Sequence, residues 1–169
     1  MISVKKKNNE VFYIKKKLEF INQDYIKFLK KKVQHTKRKR ARICMHTKQS
    51  EKLHEMIIIL NKNTYIRPHK HLNKAESLHV IEGSADVIFF DNKGKIIDKK
   101  TLGKYNQNRI FYYRLNSSIF HTFKLRSKNF IFHESTEGPL VKSKTLYAKW
   151  SPAENNHKAA KKFMNTIKI

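Results

Sequence analysis

Two histidines and a glutamate lie close together in the sequence at a spacing that suits a metal ion. The segment reads Pro68-His69-Lys70-His71, and Glu76 follows after four residues. On a strand, residues i and i+2 point to the same face, so His69 and His71 present two imidazoles side by side. Glu76 starts the next extended run and can bring a carboxylate to the same place. Two neutral imidazoles and one carboxylate suit a divalent transition metal: Fe, Mn, Ni or Zn.

A fourth ligand is expected from a later strand. His121 lies in an alternating run, and a strand that returns across a barrel can place it opposite the pair of His69 and His71. His133 is a rival on another strand, whereas His79 stands at an odd offset from Glu76 and is expected to face the other side. The alternatives are a surface His-x-His pair in a basic loop and a core histidine at 121. We therefore predict as metal ligands His69, His71, Glu76 and His121.

A run of arginines precedes these residues. Arg38, Arg40 and Arg42 alternate with other residues, and Cys44 and His46 continue the same phase. As a strand, the run puts three guanidinium groups on one face. One interpretation is a solvated basic edge, or an arm steadied by carboxylates. The other is that these arginines line the mouth of the metal cavity and hold an anionic ligand. Cys44 is expected to be a buried small residue and not a nucleophile.

Further arginines and tyrosines lie near the predicted ligands. Counting back by twos from His69 puts Arg67 on the metal-facing side, with Tyr65 beyond it, and Tyr112 and Arg114 share a phase in a later strand. An inward arginine is costly unless it meets an anion, so Arg67 and Arg114 predict an anionic substrate. Tyr65 or Tyr112 is a candidate catalytic proton donor or acceptor.

The composition limits the class of protein. The chain has 169 residues, with 38 Lys and Arg against 13 Asp and Glu, and a net charge of +25. One interpretation of that excess is an AT-rich genome, and under this interpretation too it leaves a positive field that attracts anions. The one cysteine excludes an internal disulfide, and no apolar run is long enough to span a bilayer. With no secretory signal expected, a cytoplasmic location is predicted.

Short β-rich runs fill the chain after residue 53. The predicted strands cover residues 56–60, 65–71, 78–81, 86–90, 95–102, 109–115, 119–125 and 130–133. Turn sequences such as Asn61-Lys62-Asn63 and Asn116-Ser117-Ser118 separate them. Eight short strands without an intervening helix are typical of an antiparallel sandwich or barrel.

Helical patterns flank the strands. Residues 22–34 predict a helix capped by Asn22, and residues 153–166 predict a weak polar helix. The prediction is therefore a basic helix-plus-arm extension packed on the barrel (1–52), a β-barrel (53–152) and a polar tail that can be helical (153–169).

The segment His69-x-His71-x4-Glu76-x6-Gly83 resembles the first conserved motif of the cupin superfamily. Over roughly residues 36–152 the chain resembles the WbuC family of cupin-fold metalloproteins. The blocks that carry this resemblance are Arg38-x-Arg40-x-Arg42-x-Cys44-x-His46, Tyr65-Ile66-Arg67-Pro68-His69-Lys70-His71, Glu76-Ser77-Leu78-His79-Val80-Ile81-Glu82-Gly83, Phe90-Asp91-Asn92-x-Gly94, Glu137-Gly138-Pro139 and Trp150-Ser151-Pro152. The resemblance implies a mainly β, cupin-type double-stranded β-helix (a jelly-roll barrel), a bound metal and a link to bacterial surface-polysaccharide (O-antigen type) gene clusters. It implies no particular reaction.

Two classes of function fit these features. The first is an enzyme in which the metal assists isomerisation, epimerisation or elimination on an anionic sugar or nucleotide-linked sugar. The second is a non-catalytic sugar-binding or regulatory module whose basic surface contacts polyanions. Nucleic acid is not the favoured partner, because no helix-turn-helix, zinc-finger or RNA-recognition motif is present and no aromatic residues interleave with the basic run. Exposed sheet edges favour a homodimer.

Overall fold

The computed structural model describes residues 2–168, and most of its regular elements are β-strands. The strands in chain order are β1 (Val4–Lys6), β2 (Val11–Ile14), β3 (Arg40–Cys44), β4 (Leu53–Asn61), β5 (His69–His71), β6 (Glu76–Glu82), β7 (Ala85–Phe90), β8 (Ile96–Leu102), β9 (Tyr112–Leu115), β10 (Phe120–Leu125), β11 (Asn129–Glu137) and β12 (Thr145–Tyr147). The helices in the same described part are α1 (Gln23–Gln34) and α2 (His157–Thr166).

Strands β4 to β11 form a jelly roll. They pair as nested antiparallel hairpins: β4 with β11, β5 with β10, β6 with β9 and β7 with β8. When this long hairpin folds over, β4-β11-β6-β9 become neighbours in one sheet and β5-β10-β7-β8 in the other. We call these sheet I and sheet II. The predicted fold class, a mainly β cupin-type jelly-roll barrel, is confirmed.

The N-terminal strands extend sheet I. The order β1-β2-β3 continues it beyond β4, with β2 parallel to β3. Helix α1 begins after Asn22, whose side chain accepts from the Asp24 backbone N–H as predicted. Its buried Leu29 and Val33 pack with Ile43 and other residues on the outer face of sheet I. The division into 1–52, 53–152 and 153–169 stays a prediction.

Helix α2 covers the outer face of sheet II. Phe163 packs there with Phe90, Phe120 and Trp150. The helix begins at His157, later than the predicted 153–166, because the Asn156 side chain accepts from a backbone N–H and caps it there.

Aromatic side chains fill the space between the sheets. Phe130 and Phe132 alternate with outward residues on β11, and their ring centroids lie 5.1 Å apart. Phe123 reaches them from sheet II at 5.9 and 5.7 Å. Burying each such ring contributes roughly 1.5–3 kcal/mol to the free energy of folding. This end of the barrel is therefore a packed apolar core, and the polar residues of the interior lie at the opposite end.

Candidate metal centre

The predicted ligands come from both sheets. His69 and His71 lie on β5, and His121 on β10 is the direct cross-strand partner of His69 in sheet II. Glu76 is the first residue of β6 in sheet I, and its side chain faces the interior, as do Leu78 and Val80. The predicted strand at 65–71 is reduced to β5, because 65–68 carry no ladder pairing. The jelly-roll crossover therefore brings residues separated by 52 positions in sequence (121 − 69) into one cluster between the sheets.

The donor atoms of the cluster lie close enough together to share one ion. Ligand nitrogens of His69, His71 and His121 all lie within 4.8 Å of one another. The Glu76 carboxylate lies 3.1 Å from Nε2 of His121 and 3.4 Å from Nε2 of His71. Metal–nitrogen distances of about 2.0–2.1 Å put ligands about 3–4 Å apart, so small side-chain movements would suffice. This donor set fits a divalent metal ion; its predicted identity as Fe, Mn, Ni or Zn stays a prediction.

Hydrogen bonds at the far side of two of the rings place a proton on Nδ1 of His69 and of His121. Nδ1 of His69 lies 3.0 Å from the Arg67 carbonyl oxygen, and Nδ1 of His121 lies 3.0 Å from the Ile119 carbonyl oxygen. Because a carbonyl can only accept, Nδ1 carries the proton and Nε2 is left as the ligand atom. For His71, Thr145 Oγ1 lies 3.1 Å from Nδ1, and this hydroxyl can accept from Nδ1 in the tautomer that leaves Nε2 as the ligand atom. Such partners orient metal ligands.

Glu76 and the imidazoles change one another's protonation. Burial by itself raises the pKa of Glu76, but the imidazoles of His121 and His71 lower this pKa to about 2. Burial lowers the pKa of His121, whereas the Glu76 carboxylate raises it, and the net pKa lies above the ordinary value. The pKa of His69 is lowered to about 3 by burial and by His121. Glu76 is therefore anionic and His69 neutral at pH 7, as ligation requires.

A second carboxyl group faces the same interior. Glu134 on β11 is in phase with the inward Phe132, whereas His133 faces out, with Nε2 3.6 Å from a Glu55 oxygen. Burial and the Glu76 carboxylate raise the pKa of Glu134 to about 7. Sequence reasoning missed Glu134 because the predicted strand ended at 133; extending the alternation by one residue would have found it.

The phase of β9 is opposite to the predicted one. Tyr112 and Arg114 are exposed on the outer side, whereas Tyr113 packs with the interior cluster. Burial and the carboxylates of Glu76 and Glu134 raise the pKa of Tyr113 well above its ordinary value. The expectation that Tyr112 and Arg114 line the cavity is thus corrected. Tyr113 and Leu115 share the more apolar face of this strand, and that pattern indicates in the sequence which face points inward.

The side chains of Arg67 and Tyr65 contact the segment after β12. The guanidinium of Arg67 donates to the Ala148 carbonyl at 2.7 Å and to Ser151 Oγ at 3.2 Å. The Tyr65 hydroxyl donates to the Pro152 carbonyl at 3.0 Å. Both side chains hold the 148–152 segment against the barrel, and the roles predicted for them in substrate binding and catalysis stay predictions.

The arginines of the basic run are divided between two environments. Arg38 pairs with Glu10, and Arg40 makes a two-pronged contact with Glu154 at 3.0 and 2.9 Å. These two contacts agree with one of the two interpretations of the basic run, namely an arm steadied by carboxylates. Arg42 differs, because its Nε is buried without a hydrogen-bond partner within residues 2–168 and its charge lowers the pKa of Glu134. Of the three, Arg42 is the one near the interior carboxyl groups.

A polar surface cavity of about 340 Å³ lies beside the loop that leads into Glu76, and none of the four predicted ligands is among its lining residues. It is lined by residues 73–75, residues 116–118 and Glu137. Ser118 Oγ donates to the His71 carbonyl at 2.7 Å, and Lys74 and Ala75 lead directly into Glu76. The cavity thus offers an ammonium group, hydroxyls and amides beside the metal ligands.

Comparisons with known sequences give one partial match. A family described as Domain of unknown function (DUF6016) matches residues 21–102, which is less than half of the chain. No curated protein matches. No helix in the described part of the chain is long and apolar enough to cross a membrane.

Solved structures with a similar fold include three of different kinds. Oxalate decarboxylase from Bacillus subtilis at pH 4.6 is 20% identical, with a TM-score of 0.49 over 64% of this chain and 27% of that one. CapF with the inhibitor 3-isopropenyl-tropolone is 11% identical, with a TM-score of 0.49 over 58% and 28%. Procruciferin, an 11S globulin from Brassica napus, is 14% identical, with a TM-score of 0.46 over 57% and 23%. The chain spans roughly a quarter of the length of each, and the similarity concerns the fold alone.

Proposed function

We propose that this protein is a metal-dependent enzyme of the cupin fold that acts on a small anionic molecule. The observation that carries the proposal is the convergence of His69, His71, His121 and Glu76, with ring nitrogens held toward one point by hydrogen bonds. Burying a carboxylate and three imidazoles costs stability unless they are paired or bind a metal. A divalent ion held there would act as a Lewis acid on a carbonyl or hydroxyl oxygen.

The bordering cavity supports a substrate that carries negative charge and hydroxyl groups. Lys74 has its pKa lowered by burial, while nearby carboxylates act in the opposite direction. Its ammonium group supplies a positive charge, and Ser117, Ser118 and Asn116 supply hydrogen bonds of the kind that sugars use. Together with the resemblance to the WbuC family, this favours a nucleotide-linked sugar of bacterial surface-polysaccharide (O-antigen type) biosynthesis.

Glu134 is the group in this interior best suited to moving a proton. Its carboxyl faces the interior with Glu76, and burial together with that neighbour gives it a pKa of about 7. A group that titrates near the working pH can both accept and return a proton, as isomerisation, epimerisation or elimination beside a carbonyl requires. We therefore assign Glu134 the role that the sequence suggested for Tyr65 or Tyr112.

Metal analysis of protein purified without a histidine tag tests the first part. We expect about one divalent ion per chain, and we expect it to be lost in His69→Ala. The matched control is His133→Ala, which removes an imidazole from the outer face beside Glu55. Equal metal content in both variants, or none in the parent protein, would overturn the proposed centre.

A thermal-shift screen of nucleotide sugars, followed by mass and NMR analysis of any that bind, tests the second part. We expect conversion that falls at least about 100-fold in Glu134→Gln, the size usual for a general acid or base. Glu55→Gln, on the outer face beside His133, is the control. A sugar that binds but is never converted would make the protein a non-catalytic binder. Failure of every sugar to bind would reject this substrate class and leave the metal centre standing.

A further inference from the structure

A line of aromatic rings runs along the outer surface at the free edge of sheet I. Tyr105 is 76% exposed and Tyr112 50% exposed. Between them lie Phe111, whose ring centroid is 5.1 Å from that of Tyr105, and His79, which is 5.8 Å from Phe111 and 6.5 Å from Tyr112. We call these four residues the ring line. Single exposed apolar residues are ordinary, but a connected set of this kind marks an interaction surface.

The ring line is separate from the metal centre. Tyr112 and His79 point outward from β9 and β6, where they are cross-strand partners, and Tyr113 and Leu78 point inward. β9 is the last strand of sheet I, and no further strand of the described residues pairs with its outer edge along sheet I. A ligand can therefore occupy this surface without entering the barrel.

The segment that supplies Tyr105, Phe111 and Tyr112 of the ring line is rich in positive charge. Residues 93–114 contain seven lysines and arginines and one acidic residue, Asp98, which is bonded to Lys100 at 2.7 Å. Arg109 is exposed and lines a surface concavity of about 480 Å³ together with Ile110, Phe111 and Tyr112. No carboxylate in the described part of the chain forms an ion pair with Arg109 or with Arg114.

These observations favour one occupant. A second copy of the chain would bring a further charge of +25 against the same basic surface, so self-association here is opposed by repulsion. A single-stranded nucleic acid matches both the exposed rings and the positive charge, because its bases stack on exposed rings and its phosphates neutralise arginine and lysine. We propose that the ring line binds single-stranded nucleic acid, with bases on Tyr105 and Tyr112 and phosphates on Arg109 and Arg114.

This proposal differs from the polyanion contact that the sequence suggested. That contact was placed on the basic run around residue 40, where Arg38 and Arg40 are paired with glutamates. The sequence showed no aromatic residues within that run, whereas the fold gathers rings from 79, 105 and 111–112 into one surface.

Fluorescence anisotropy with labelled 15-nucleotide oligo(dT) and oligo(U) tests the stacking. Base–aromatic stacking is worth about 1–3 kcal/mol per base, so Tyr105→Ala and Tyr112→Ala should each weaken binding by about 5- to 150-fold. The matched control is Phe20→Ala, which removes a 75% exposed ring elsewhere and should leave affinity unchanged. Thermal melting of each variant shows whether the fold is kept; a variant that unfolds is replaced by Tyr→Leu at the same position.

The salt dependence tests the phosphate contacts. Arg109→Gln should reduce the slope of log affinity against log salt by about 0.7, the value for one phosphate on a single strand. Arg38→Gln removes the same charge from a distant site and should leave the slope unchanged.

Three results would overturn the proposal. In the first, heparin, which has no bases, binds as tightly as the oligonucleotides. The tyrosine variants then bind heparin and the oligonucleotides as tightly as the parent protein does. In the second, Arg109→Gln and Arg38→Gln change binding by the same amount, which would make the binding a property of net charge alone. In the third, the protein sediments as a dimer that Tyr112→Ala dissociates, which would assign the surface to a second copy.

Discussion

The Glu76 carboxylate lies 3.1 Å from Nε2 of His121 and joins the two sheets of the barrel at this point. Glu76 begins β6 in sheet I, and His121 lies on β10 in sheet II. Both side chains are less than a tenth exposed. Without a metal ion, the contact is a charge-assisted hydrogen bond from a protonated Nε2 in a site that excludes most water, and it sets the protonation of both groups; a bound metal ion would displace this proton.

Replacing Glu76 by glutamine should remove both the metal ligand and the charge that holds a proton on His121. We expect metal affinity to fall by at least about 100-fold, beyond what outer partners of a ligand contribute. In protein stripped of metal, the free energy of unfolding should fall by about 1–3 kcal/mol. Metal titration and urea unfolding measure the two effects.

The control for this change is Glu55→Gln. Glu55 also faces a histidine, with an oxygen 3.6 Å from Nε2 of His133, but on the outer side of sheet I. Both quantities should stay near those of the parent protein. Retention of full metal affinity in Glu76→Gln would mean that the carboxylate is not a ligand.

The hydroxyl of Thr145 should support metal binding without touching the ion. It lies 3.1 Å from Nδ1 of His71 and accepts in the tautomer that leaves Nε2 as the ligand. Thr145→Val keeps the shape and removes the acceptor, so metal affinity should fall by about 10- to 100-fold with little change in melting temperature. Thr64→Val, which removes a hydroxyl bonded to the Arg38 carbonyl, is the control. Unchanged affinity in Thr145→Val would assign the orientation of His71 to packing.

How much of the site could be read from the sequence depends on the distance over which each contact acts. The pairing of His69 with His71 follows from the two-residue period of a strand, and Glu76 is close enough to be placed by a short loop. The inward position of Glu134 depends on where β11 ends, and strand ends are the least certain part of a pattern. The choice between Tyr112 and Tyr113 is a one-residue slip that reverses every side chain of the strand.

Apart from the expected return of His121, contacts between distant segments could not be predicted from the strand pattern. Arg40 is hydrogen-bonded to Glu154, 114 residues later, and the local sequence around neither residue predicts this contact. The pairing of β4 with β11 brings the first and last strands of the jelly roll together. This pairing was expected from the resemblance to cupins and not from the strand pattern. Alternation indicates that strands exist, whereas tertiary packing decides their partners.

The Arg40–Glu154 contact should stabilise the fold and leave the metal centre unaffected. Its two hydrogen bonds measure 3.0 and 2.9 Å, and both side chains are about a quarter exposed or less. Arg40→Gln should lower the free energy of unfolding by about 1 kcal/mol, the upper range for pairs near the surface. Arg114→Gln, which removes an exposed arginine with no such partner, should cost less.

A double-mutant cycle isolates this interaction. If Arg40 acts through Glu154, the variant carrying both Arg40→Gln and Glu154→Gln should be no less stable than the worse single variant. Metal affinity should be the same in all three. A loss of metal affinity in Arg40→Gln alone would instead support the alternative interpretation, in which this arginine lines the mouth of the metal cavity.

Acid should destabilise the protein through a stacked histidine pair outside the metal centre. The rings of His46 and His54 lie 3.9 Å apart and nearly parallel, and His46 is 5% exposed. Burial and the neighbouring His54 lower the pKa of His46 to about 4, below the ordinary 6.5. As pH falls from 6.5 to 4, the unfolded chain takes up this proton first, so folding stability declines by up to about 3 kcal/mol.

Replacing His46 by phenylalanine should keep a stacked ring and remove this proton uptake. Urea midpoints measured from pH 7.5 to pH 4.5 should fall less steeply in His46→Phe than in the parent protein. The parent slope also contains His54, His69 and His71, whose pKa values are likewise lowered by burial, so the variant reduces the slope without abolishing it. His157→Phe, at an exposed position on α2, should keep the parent slope. If His46→Phe loses stability with acid as steeply as the parent, His46 is not held neutral by its surroundings and the acid sensitivity comes from other groups.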